Sequence, residues 1–88
     1  MISVFFRMEV FQEDGQCVGM CPDLNVSSFG DTPEEARASL QEAVEAFLEG
    51  CESLGTLEDV LAESGFRKEG AVWRPRERVS EEKAVILS

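Results

Sequence analysis

Residues 30–55, GDTPEEARASLQEAVEAFLEGCESLG, constrain this chain more than any other stretch. Thr32 can cap a helix with its hydroxyl, and Glu35 three residues on can reach back to close a capping box. Pro33 falls at the first helical position, where its missing N–H costs nothing. Asp31, Glu34 and Glu35 put negative charge at the positive end of the helix dipole. Gly55 suits a left-handed C-terminal cap. Between these marks Ala36, Leu40, Ala43, Val44, Phe47, Leu48, Cys51 and Leu54 recur at the three-and-four spacing of one buried face. The opposite face carries Glu42, Glu45, Glu49 and Glu52. Like charges at that spacing weaken an isolated helix by about a few tenths of a kcal/mol per pair. Stability therefore does not account for the stripe. It reads either as a solvated face or as a surface complementary to a basic partner.

The segments before the helix read as strands. Residues 4–12 alternate, with Val4, Phe6, Met8 and Val10 toward the core and Arg7 and Glu9 away from it. Phe5 and Phe11 share the outer side, so a C-terminal segment or a second subunit is expected to cover them. Glu13-Asp14-Gly15-Gln16 is a tight turn, and residues 16–20 return as a second strand. Pro22 breaks the pattern, and residues 26–29 form a short third strand. After Gly55 a short helix follows, with Thr56 as its cap and Gly65 as its end. Residues 71–74 read as a fourth strand, 75–83 as a solvated connection, and 84–87 as a final or dimer-edge strand. The expected architecture is α+β, an antiparallel meander of three strands plus one or two C-terminal strands packed on one long helix. The 88 residues make one domain, with a core over 4–66 and an extension over 67–88. Exposed edges and surplus apolar residues predict a homodimer.

Charge is divided unevenly. Residues 1–66 hold 14 acids and 2 bases, whereas 67–88 hold 4 acids and 6 bases. So acidic a body repels phosphate backbones, favours encounter with a basic partner, and argues against direct nucleic-acid binding. Arg74, Arg76 and Arg78, behind Arg67 and Lys68, are expected to pair with that body or with a neighbouring subunit. Trp73, the sole tryptophan, is a candidate contact residue beside a candidate core residue.

Catalytic chemistry finds little purchase. There is no histidine, which removes every triad that needs one. Cys17 and Cys21 make an incomplete zinc site, and Cys51 sits on the helix's buried face, so the three cysteines read as reduced structural thiols. No cofactor or metal is expected. Asp14, Asp23 and Asp31 would hold Mg²⁺ for nuclease chemistry only if they converged. Each has a local role, in a turn, after a proline and before a helix, and a non-enzyme is expected. No signal peptide or membrane span reads in the chain, so a cytoplasmic protein with no membrane partner is expected.

The order Glu13-Asp14-Gly15, Cys21-Pro22-Asp23-Leu24, then Gly30-Asp31-Thr32-Pro33-Glu34-Glu35-Ala36 and the amphipathic helix resembles the HicB antitoxin family over residues 4–66. The resemblance implies a partial ribonuclease H-like domain that acts as a binder. Its partner would be HicA, a small basic ribonuclease. Glu42, Glu45, Glu49, Glu52 and Trp73 are the candidate partner-binding residues. Residues 67–88 do not read as the DNA-binding module that many relatives carry. The alternative is a stand-alone HicB-like homo-oligomer with a structural or regulatory role, and a Mg²⁺-dependent nuclease is a remote one.

Overall fold

The computed structural model describes residues 2–87. It is α+β, with six strands and two helices in the order β1 (Ser3–Val4), β2 (Glu9–Glu13), β3 (Gln16–Cys21), β4 (Val26–Gly30), α1 (Pro33–Leu54), α2 (Leu57–Glu63), β5 (Arg67–Glu69) and β6 (Val72–Arg74). The expected meander is present as an antiparallel sheet, β2-β3-β4. Its first turn is a two-residue hairpin in which Asp14 and Gly15 both take positive φ, 48° and 81°, the condition for a type I′ connection. Asn25, with φ 56°, closes the break after Pro22.

The remaining strands depart from the single sheet expected. They form a second sheet of order β1-β6-β5, in which β1 and β6 run parallel. The expected strand over 4–12 is therefore split at residues 5–8 and serves both sheets. Strand β5 was not anticipated, because Arg67, Lys68 and Glu69 are all charged and all exposed, and show no apolar alternation. Residues 84–87 form no strand and stand exposed. Strand β6 stops at Arg74 for a chemical reason. The Ser3 and Phe5 amides donate to Ala71 and Trp73 carbonyls, and the parallel ladder would next need a donor from residue 75. Pro75 has no N–H.

Helix α1 has the expected caps. The Thr32 hydroxyl accepts from the Glu35 amide at 3.1 Å, and Gly55 adopts φ 74°. The Glu35 carboxylate reaches one residue further back than a capping box requires and accepts from the Asp31 amide at 2.9 Å. Ala36, Leu40, Val44 and Cys51 are buried along one stripe. Phe47 and Leu54, which share the periodicity, are exposed instead. The core joins Leu40 and Val44 to Cys21, Leu24, Leu61, Phe66 and Trp73. Helix α2 lacks the side-chain cap expected of Thr56, whose hydroxyl donates to the Cys51 carbonyl and so ties off the end of α1. Met8, expected inside, is more than a third exposed, since it lies in the unpaired stretch between β1 and β2.

Candidate functional site: an acidic-rimmed groove

Strand β1 and helix α1 lie side by side without closing. Ile2, Val4 and Phe6 alternate along the first strand segment and so present one apolar side. Val44 and Leu48 from α1 and Leu57 from α2 supply the floor. The result is an open groove of about 330 Å³. Its rim is Gln41, Glu45, Glu49 and Glu52, and no basic residue lines it. Gln41 donates from Nε2 to Glu45 Oε1 at 3.4 Å, which orients one carboxylate along the rim.

The electrostatics of this rim run against helix stability. Glu49 and Glu52 lie in the last turns of α1, where the dipole already carries partial negative charge, and no basic residue there offsets it. Three carboxylates and a helix C-terminus thus act together beside an apolar floor. Such an arrangement favours a segment with apolar side chains at its centre and cations at its flank.

The structure brings together Glu45, Glu49 and Glu52 of the sequence-derived candidates. Glu42 is exposed but lies outside the groove lining. Trp73 is placed in the core, 6% exposed, with its indole Nε1 buried and without a hydrogen-bond partner. It lies beside Val4 in the β1–β6 pair. Val4 and Phe6 of this apolar wall were legible only as part of a core face, and Ile2 lies before the strand read from the sequence. Nothing in the sequence said that a helix flank would stop short of it.

The candidate metal ligands do not meet. Among the described residues no group of three or more acids or cysteines is placed to hold a metal ion. Asp23 is committed elsewhere. Its side chain is 2% exposed, Arg7 donates to it from Nε and Nη2 at 2.9–3.2 Å, and Arg76 donates to it at 3.3 Å. The convergence that a Mg²⁺ nuclease would require is absent. The basic extension pairs with the body only in part: Lys68 meets Glu58, Arg76 meets Asp23 and Arg78 meets Glu9, while Arg74 pairs with Glu69 and Arg78 more closely with Glu81, both within the extension.

The three cysteines are free and buried. Burial, with the Asp23 charge adding to it, pushes the Cys21 thiol above its ordinary value of 9.0. The unfolded thiol ionises first as pH rises, so the unfolded state then binds fewer protons than the folded one. Stability from this group is present below pH 9 and falls as pH climbs toward the folded value. Thermal melts above pH 9 are expected to show a decline that Cys21→Ala flattens. An identical alkaline slope in that variant would rule Cys21 out as the cause.

Among the described residues no helix is long and apolar enough to cross a membrane. No protein-family model matches the chain, and comparison with curated proteins and with solved structures finds no match either.

Proposed function

We propose that this chain is a HicB-like binding protein that neutralises a small, basic, HicA-type ribonuclease by protein–protein contact in the cytoplasm, without catalysis of its own. The observation that carries this reading is the apolar groove rimmed by Glu45, Glu49 and Glu52 on a body with 14 acids and 2 bases over residues 1–66. A basic ribonuclease must carry cations around its RNA-binding surface, and an acidic rim competes for the same cations that phosphates would use. Steering by the rim sets the association rate, while the apolar floor supplies most of the affinity. The order of turn, CPDL break and GDTPEEA cap, read above as HicB-like, supports the same conclusion.

The test is recovery of the partner at low salt, its elution at high salt, and an RNA-cleavage assay with the chain added back. A small basic ribonuclease silenced at one equivalent is the expected result. Glu45→Lys/Glu49→Lys should then slow association roughly tenfold at low salt and flatten its salt dependence. An unchanged rate, or a partner without ribonuclease activity, would overturn the reading. A stand-alone homo-oligomer is the second reading, favoured by the apolar surface that the outer sheet face leaves uncovered.

A further inference from the structure

Paired residues in a sheet point the same way, and successive residues point oppositely. A Cβ at Gly19 would meet Ala36 and Leu40, so the row Val10, Gly19 and Ser28 faces α1. The next row, Phe11, Val18 and Phe29, therefore faces away from the helix. Phe11 is 47% and Phe29 65% exposed. Glu9 and Glu13 lie on the same side, by the same alternation. A second apolar surface is equally bare: Val85, Ile86 and Leu87 are 82%, 92% and 91% exposed.

The strand register says where that segment goes. Ser3 lies opposite Val72 and Val4 opposite Trp73, a constant offset of 69 residues. Beyond Pro75 the backbone ladder ends but the side chains keep the same offset. Arg74 stacks on Phe5, 4.8 Å from the ring centroid. Arg76 bonds the Asp23 that holds Arg7. Arg78 lies 3.6 Å from Glu9, with Glu81 as its closer partner at 2.9 Å. Continued, this register would put Ser80 beside Phe11 and Glu82 beside Glu13, a repulsive pair. It would carry Ala84 level with Gly15, at the hairpin tip. The apolar run thus overshoots its own sheet. Residues 81–87, EEKAVIL, contain no glycine, proline, asparagine, aspartate or serine to turn the chain back.

We propose that residues 84–87 of one copy seat on the Phe11–Val18–Phe29 face of a second copy, and that the exchange is reciprocal. The occupant is apolar where the face is apolar, and Lys83, the charged residue directly before the apolar run, is opposite in sign to Glu13 at the edge of the face. Two-fold exchange covers both bare surfaces at once and closes the assembly. It does not depend on the ribonuclease reading, and its test uses no toxin.

Sedimentation velocity of the full chain is expected to give a dimer. Phe11→Thr/Phe29→Thr removes the face and keeps the segment. Val85→Ser/Ile86→Ser removes the segment and keeps the face. Each variant should weaken self-association roughly tenfold or more, with far-UV dichroism unchanged because every altered side chain is exposed. Mixed together, the two variants retain one complete seat, so native mass spectrometry should show their heterodimer forming more tightly than either homodimer. A monomeric wild type overturns the proposal, including one in which the segment folds onto its own sheet. A dimer indifferent to either variant, or variants that fail to complement each other, overturns it equally.

Discussion

Gly30→Val is expected to lower the melting temperature by roughly 12 °C or more, the equivalent of about 3 kcal/mol in a domain of this size. Gly30 ends β4 just before the cap of α1. A Cβ there would lie 2.7 Å from the Ala36 backbone nitrogen, 2.7 Å from Glu35 Cβ and 2.8 Å from the Glu35 carbonyl carbon. The need for glycine is therefore space, since its φ is not in the left-handed range. These neighbours cannot give way singly. The Ala36 amide donates to the Thr32 carbonyl at 2.9 Å, the Glu35 amide to the Thr32 hydroxyl, and the Asp31 amide to the Glu35 carboxylate. Backing the helix off the sheet breaks that cap and opens the contact between Leu40 and Gly19. Gly50 offers the opposite case within the same helix. Nothing lies within 4 Å of a Cβ built there, so Gly50→Ala should stabilise by about 0.5–1 kcal/mol. Melts followed by circular dichroism decide both signs. A Gly30→Val variant as stable as the wild type would mean that the helix does not rest on β4 this closely.

That contact also marks where sequence reasoning succeeds and where it stops. The caps of α1 were legible because Thr32, Pro33, Glu35 and Gly55 act through local chemistry at fixed spacing. The β2–β3 turn was legible for the same reason, as Asp14 and Gly15 can both take positive φ. What failed was non-local. Phe47 and Leu54 fit the apolar period, yet the fold leaves both exposed. The chain over 4–12 alternates throughout, yet residues 5–8 form no strand, because β1 turns to β6 and β2 to β3. Strand β5 is held by a neighbour rather than by a pattern of its own. The groove is half legible in this sense. Its rim of Glu45, Glu49 and Glu52 follows from helical spacing, while its wall depends on the distance at which β1 settles. The salt bridge of Arg7 to Asp23 spans sixteen residues, and no local rule pairs them.

Asp23→Ala is expected to cost about 2 kcal/mol and to free the C-terminal segment from the sheet. The carboxylate is 2% exposed and accepts from both Arg7 and Arg76. Breaking a fully buried pair by removing one partner costs roughly 3–5 kcal/mol, because the remaining charge is stranded. Here the stranded groups are better placed. The Arg7 side chain is 33% exposed and that of Arg76 69%, so both rehydrate in part and the cost falls below that range. The two arginines should also differ. Arg7 binds through two nitrogens on the less exposed side, and Arg76 through one on the more exposed side. A double-mutant cycle should therefore find strong coupling between Asp23 and Arg7, and coupling under about 1 kcal/mol between Asp23 and Arg76. The weaker link has the larger consequence for the extension, since Arg76 follows the proline at which the backbone ladder ends. Trypsin should then cut after Arg78 several-fold faster in Asp23→Ala and in Arg76→Ala than in the wild type, while Arg7→Ala loses stability with a smaller change in cutting. Equal cleavage in all four proteins would mean that the segment is held by something other than Asp23. Equal melting temperatures would mean that this carboxylate is not a structural tie.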